Sequence, residues 1–128
     1  MGEIQTVVER DNHLTLNTAT GKITMDDMIQ AAEGYLSEPP TSRVLWNLLE
    51  ADGSEISSEE FERLSQVVSQ RPVASMKRKI AVVVSRKLGY GLSRIFQIHA
   101  EISGVQAEYH IGYDLDEAMA WLNEGENE

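Results

Sequence analysis

The sequence predicts an α/β fold in which an N-terminal β-hairpin leads into a mostly parallel sheet. Two observations support this class: short strand-like segments alternate with amphipathic helical segments, and two strand-like segments come first in the chain. Strands separated by helices are joined by right-handed crossovers, which make neighbouring strands parallel. The predicted element order is β-β-α-β-α-β-α-β-α.

Size and composition limit the class of protein. The 128 residues, 41% hydrophobic and 25% charged, are typical of one folded domain, which we expect over residues 1–123 with a frayed acidic tail over 124–128. The absence of cysteine excludes disulfides, thiolate metal sites and a cysteine nucleophile. A net charge of −10 argues against nucleic-acid binding. Because the sequence shows neither a signal peptide nor a membrane span, we expect a cytoplasmic protein.

The first two strands lie in the segment EIQTVVERDNHLTLNTATG and form the predicted hairpin. In the second strand, apolar and polar residues alternate, with Leu14 and Leu16 set against Thr15 and Asn17. A period of two is typical of a strand with one buried and one exposed face. We therefore expect the second strand to be half exposed.

The first helix and the third strand follow. Thr24 precedes MDDMIQAAEGYL, whose apolar residues recur at helical spacing, and Asp26 and Asp27 lie in the first turn, where the helix dipole favours acidic side chains. Pro39 and Pro40 end this helix. The next segment, SRVLWNLLEA, is almost continuously apolar, which predicts a strand covered on both faces.

The second helix has a clear start in the sequence. Ser57 and Glu60 have the spacing of a capping box, and the following apolar residues supply a buried stripe until Pro72 ends the helix. The segment KIAVVVS predicts the fourth strand.

Basic residues are concentrated around this fourth strand, in a span without Asp or Glu. They are Arg71, Lys77, Arg78, Lys79, Arg86, Lys87 and Arg94. Two interpretations are open: solvated loop charges that flank a buried strand, or a local site for an anion or an acidic partner.

The third helix is predicted over residues 88–102, with an inner side that includes Ile95 and Ile102 and with Gly104 as its terminator. The alternating segment VQAEYHIGY predicts the fifth strand. Asp114 is the expected N-cap of the last helix, DLDEAMAWL, in which Trp121 is a packing residue.

Catalytic and cofactor motifs are missing from the sequence. His13, His99 and His110 are scattered over three elements without metal-site spacing, and no Gly-x-Ser-x-Gly elbow is present. The turn SRKLGYGLSR lacks the third glycine of a dinucleotide fingerprint and the Gly-Lys-Ser/Thr of a P-loop. We therefore expect no enzyme, no metal and no cofactor.

The element order resembles that of the STAS, or SpoIIAA-like, fold, the domain of bacterial anti-sigma-factor antagonists. The segments KIAVVVSRKLGYGLSRIFQIHAE and DLDEAMAWL look like those of small bacterial STAS-like proteins of uncharacterised function. The matching residues are Tyr90, Gly91, Arg94, Phe96, Asp114, Glu117, Ala118, Trp121 and Leu122. The resemblance implies a SpoIIAA-like fold without a catalytic site.

For the antagonist branch, the resemblance also implies an anti-sigma kinase as partner, which phosphorylates a Ser or Thr at the start of the second helix. The matching region here contains Ser54, Ser57 and Ser58. It departs from the family pattern, because Asp52-Gly53-Ser54 stands where the antagonists have Asp-Ser-Ser-Gly or Asp-Thr-Ser-Gly. Ser57 is also explained as a simple N-cap.

Two functions follow as expectations. The first is a non-enzymatic regulatory module that binds a protein partner or a second copy of itself, with any phosphorylation switch at Ser54, Ser57 or Ser58. The alternative is a protein that binds a small anion, a lipid or another amphiphile at the Tyr-Gly turn, where helix N–H groups and basic side chains favour negative charge. Its candidate residues are Arg86, Lys87, Tyr90, Gly91 and Arg94.

Overall fold

A computed structural model of the chain contains one five-stranded sheet and four helices. In chain order the elements are β1 (Glu3–Glu9), β2 (Leu14–Lys22), α1 (Met25–Leu36), β3 (Arg43–Asp52), α2 (Ser58–Ser69), β4 (Arg78–Val84), α3 (Lys87–Ile102), β5 (Ala107–Gly112) and α4 (Leu115–Asn123). This order is the one that the sequence predicts.

The structure describes residues 2–9, 11, 13–36, 41–53, 56–69, 77–85, 87–102, 104 and 107–124. Within these ranges, the side chains of residues 32–36, 58, 65, 68–69, 87–90, 92, 96 and 99–100 are not described. The prolines predicted to end α1 and α2 lie outside the described residues.

The sheet has the strand order β1-β2-β3-β4-β5. The first two strands pair antiparallel as the predicted hairpin, and every later pair is parallel. Each parallel strand is followed by a helix, so the helix N-termini lie at the carboxyl edge of the sheet. The amino ends of β3, β4 and β5 lie at the opposite edge.

Helices cover both faces of the sheet. Side chains from α1 and α2 pack on one face, and α3 lies beside α2 and contacts β4 and β5. The other face is covered by α4, whose Ala118 and Leu122 are fully buried against Ala81 and Val83 of β4. Burial on both faces was predicted for the third strand, and it is confirmed where Leu45 and Trp46 of β3 lie in opposite cores.

The polar face of β2 differs from the sequence prediction. Thr15 is 1% exposed and Asn17 is 0% exposed, because the first part of β2 is covered on both faces. Thr15 Oγ1 lies 2.8 Å from Thr41 Oγ1, and Thr6 donates to Asn17 Oδ1 over 2.7 Å, whereas Asn17 Nδ2 is buried without a hydrogen-bond partner among the described residues. The expectation of a half-exposed β2 is therefore wrong at Thr15 and Asn17, whereas further along the strand Thr18 and Thr20 are exposed on either side of the buried Ala19.

The inner side of α3 also differs from the prediction. Ile102 is 77% exposed, whereas Ser93 is buried. They are nine positions apart, and at 3.6 residues per turn they point to opposite sides of the helix, about 180° apart. The prediction that Ile102 lies on the inner side of α3 is therefore wrong.

Helix ends follow the sequence signals closely. Asp114 Oδ1 accepts from the Glu117 N–H over 3.1 Å at the start of α4, which confirms the predicted N-cap. Gly104 follows α3 with a φ of 90°, and its N–H donates to the Glu101 carbonyl. This left-handed conformation suits glycine, and it confirms Gly104 as the terminator.

Candidate functional site

The described part of the predicted switch region lies at the N-terminus of α2, after β3 has ended. The Glu60 N–H donates to Ser57 Oγ over 3.2 Å, and the Ser57 N–H donates to Glu60 Oε1 over 3.1 Å. These reciprocal bonds are the predicted capping box. The Ser57 hydroxyl therefore has a structural role at the helix start.

Phosphorylation of the two other serines of this region remains a prediction. Ser54 lies outside the described residues, and Ser58 is the first residue of α2 with a side chain that is not described. Ile56 before Ser58 and Phe61 after it are buried in the core and anchor the segment.

The Tyr-Gly turn lies within the start of α3. Lys87, Tyr90 and Gly91 belong to the helix, which begins one residue earlier than predicted, so the glycines are helical rather than part of a connecting loop. Gly91 is exposed, and a Cβ placed there would have no neighbour within 4 Å in the described part of the structure. The helix surface at Gly91 is therefore open.

Arg94 is exposed one turn further along α3, and its Nη1 donates to Gln97 Oε1 over 2.9 Å. Arg86 lies outside the described residues, and the side chains of Lys87 and Tyr90 are not described. A binding site made by these residues stays a prediction.

Both sequence-predicted regions lie at the carboxyl edge of the sheet. The start of α2 follows the end of β3, and the start of α3 follows the end of β4, the neighbouring strand. Because α2 and α3 pack against each other, the fold brings the two regions to one side of the molecule.

The histidines do not form a site among the described side chains. His13 is exposed before β2, and the His110 ring of β5 stacks on Trp121 of α4 with 5.5 Å between centroids. The His99 side chain is not described. In the described part of the chain, no group of three or more His, Asp or Glu residues could hold a metal ion.

The basic segment around β4 is not a set of solvated loop charges alone. Lys79 Nζ lies 4.9 Å from the centre of the Trp121 ring and donates to the carbonyls of Trp121 and Glu124, both over 3.1 Å. Arg78 is the first residue of β4 and is buried. The predicted fourth strand begins at Lys79, which leaves Arg78 in the segment before it, and no local signal in the sequence marks Arg78 as a buried residue.

Comparisons with protein-family models and with curated proteins find no match to this sequence. Solved structures do match the fold. An uncharacterised protein of the DUF3478 family with a SpoIIAA-like fold, from Shewanella loihica PV-4, is 19% identical, with a TM-score of 0.61 over 95% of both chains. An anti-sigma factor antagonist from Mycobacterium paratuberculosis is 15% identical, with a TM-score of 0.60 over 95% of this chain and 96% of that one.

These likenesses extend along nearly the whole chain and establish the SpoIIAA-like fold that the sequence resemblance implies. Among the helices described in the structure, none is long and apolar enough to cross a membrane.

Proposed function

We propose that this chain, which has the SpoIIAA-like fold, is a non-enzymatic regulatory module that acts by binding another protein or a second copy of itself. The observation that carries the proposal is the shared fold with an anti-sigma factor antagonist along 95% of the chain. The lack of cysteine and the dispersal of the histidines over separate elements support a role without catalysis.

An exposed face of α3 supplies apolar surface for such contacts. Ile98 and Ile102 lie one turn apart on this helix and are 46% and 77% exposed. Large apolar side chains left in water favour burial against another surface.

A chain of polar side chains borders this apolar pair. Arg94 donates to Gln97, and Gln97 Nε2 donates to Glu101 Oε1 over 2.9 Å. An apolar centre beside polar side chains is the usual arrangement of a protein interface.

The proposal is tested by photo-crosslinking in living cells of the native host. A photo-crosslinking amino acid is placed at Ile102, and a matched control carries it at Val7, an exposed apolar position on the edge strand β1. We expect a crosslinked product at Ile102 and none at Val7. Mass spectrometry of the product distinguishes a partner protein from a homodimer.

One outcome counts against the α3 surface and another counts against the function. A product at Val7 alone would place the interface on β1 and not on α3. The absence of any product, together with a monomeric mass in native mass spectrometry of protein isolated from the host, contradicts an interaction module.

A phosphorylation switch is a separate part of the proposal. A phosphate on Ser57 replaces a hydroxyl that caps α2 and brings negative charge to the Glu60 carboxylate, which opposes it. We therefore expect phosphoprotein mass spectrometry to find any phosphate at Ser54 or Ser58, with Ser57 unmodified. Phosphate on Ser57 alone would show that the capping role does not protect it.

A further inference from the structure

A cavity of about 500 Å³ lies at the amino edge of the sheet, opposite the edge where α2 and α3 begin. It lies where β3, β4 and β5 start and where α4 ends. Its lining contains His13, Ser42, Arg43, Lys77, Arg78, Lys79, Ala107, Glu108, Leu122 and Glu124.

The Arg78 side chain is the unusual member of this lining. It is only 4% exposed, and its Nε, Nη1 and Nη2 atoms are buried without a hydrogen-bond partner among the residues that the structure describes. Arginine keeps its positive charge at any physiological pH. A buried guanidinium with five unused N–H donors is costly unless an anion meets it.

The other buried or half-buried cations of the cavity already hold the end of α4. Arg43 Nη1 lies 2.6 Å from Asn123 Oδ1 and 3.5 Å from the Leu122 carbonyl. Lys79 binds the carbonyls of Trp121 and Glu124. Contacts with the end of α4 thus account for the positions of Arg43 and Lys79, but they do not account for the burial of Arg78.

The charge of the lining favours a negative ligand. Four basic residues, Arg43, Lys77, Arg78 and Lys79, face two acidic ones, Glu108 and Glu124, which are exposed. This local excess of positive charge occurs in a chain whose net charge is −10. Such a reversal attracts anions to one place on an otherwise acidic protein.

We propose that this cavity binds a small molecule through an oxyanion group, either a phosphate or a carboxylate, with Arg78 as its main ligand. The planar guanidinium pairs with two oxygens of either group at once. The volume exceeds that of a free phosphate and lies within the range of small-molecule sites, so the group belongs to a larger ligand. The site is independent of the protein-interaction role and of the Tyr-Gly turn at the other edge.

The test measures thermal unfolding and calorimetric binding of the purified protein with sodium phosphate or sodium acetate, against sodium chloride of equal ionic strength. We expect phosphate or acetate to raise the Tm, by about 5–10 °C when the anion is about 100-fold above its Kd. A phosphate response identifies a phosphate group, and an acetate response identifies a carboxylate.

Three variants locate the site. Arg78→Met is expected to weaken anion binding by about 10-fold or more, since it removes charge-assisted hydrogen bonds. Arg63→Met is the matched control, because Arg63 is exposed on α2 and lies 3.9 Å from Asp26. Arg94→Met tests the Tyr-Gly turn, and we expect it to bind as the unmodified protein does.

Three results would overturn the proposal. The first is an equal response to phosphate, acetate and chloride; the second is unchanged binding by Arg78→Met; the third is loss of binding in Arg94→Met alone. If Arg78→Met does not fold, the arginine Nε–Hε resonances of the unmodified protein are followed by NMR during a titration with phosphate or acetate. A saturable shift of the Arg78 resonance supports the site, and an unchanged resonance contradicts it.

Discussion

Among single residues, Ser57 has a structural role as the N-cap of α2. Its hydroxyl accepts from the Glu60 N–H and lies 3.3 Å from Glu60 Oε1, so it is engaged in the capping box of α2. An N-cap satisfies backbone N–H groups that the helix leaves without partners. Helix capping alone therefore accounts for a serine at this position.

Removing this cap is expected to destabilise the protein. Ser57→Ala should lower the free energy of unfolding by about 1 kcal/mol, and Ser57→Asn should retain most of it, because asparagine is also a good N-cap. Ser85→Ala, at an exposed serine after β4, is the matched control and should change stability little. Urea unfolding followed by circular dichroism measures all three. Equal stability of Ser57→Ala and the control would show that the cap contributes nothing.

At the scale of elements, α4 is held on the sheet by cations that come from other elements. Its own last turn contains no basic residue, and the carbonyls at its end are met by Lys79 of β4 and Arg43 of β3. Cations at a helix C-terminus interact favourably with the helix dipole and with its free carbonyls. Trp121 adds a ring on which both Lys79 and His110 lie.

This contact predicts a difference between two neighbouring lysines. Lys79→Met should lower the free energy of unfolding by about 1–2 kcal/mol, since it removes two charge-assisted hydrogen bonds. Lys77→Met removes the same charge from an exposed side chain and should stay within about 0.5 kcal/mol. Urea denaturation in a buffer without phosphate or carboxylate measures both. Equal losses of unfolding free energy in the two variants would mean that the positive charge, and not the contact with α4, stabilises the protein.

At the scale of the whole molecule, the sheet joins two cores into one structure. Trp46 lies in the core under α1 and α2, whereas Trp121 packs with the core under α4, and β3 and β4 contribute side chains to both. Neighbouring residues of one strand point to opposite faces of the sheet. A strand that leaves one core therefore also removes its side chains from the other. The two layers should therefore unfold together.

The two tryptophans make this testable, because the chain has no others. Trp46→Phe leaves only the α4 side as a fluorescent probe, and Trp121→Phe leaves only the opposite side. In each variant, we expect the fluorescence midpoint in urea to coincide with that of circular dichroism, as two-state unfolding requires. A separate fluorescence transition in Trp46→Phe would mean that α4 detaches first.

Most of the fold could be predicted from the sequence because local signals specify local structure. Helical spacing, capping residues such as Asp114 and the terminator Gly104 correctly indicated the elements and several of their ends. The candidate sites were less predictable. Ser57 was recognisable as a cap by its spacing to Glu60, but no local pattern showed that Arg78 would be buried.

Local signals in the sequence were enough to predict the order of elements, the hairpin followed by a parallel sheet, and the starts of α2 and α4. Long-range packing is what removes the polar side chains of Thr15, Asn17 and Arg78 from water and leaves apolar side chains such as Ile102 exposed. Periodicity reports only the direction of a side chain relative to its own backbone. Burial depends on whether another element covers that direction, and distant parts of the chain provide that cover.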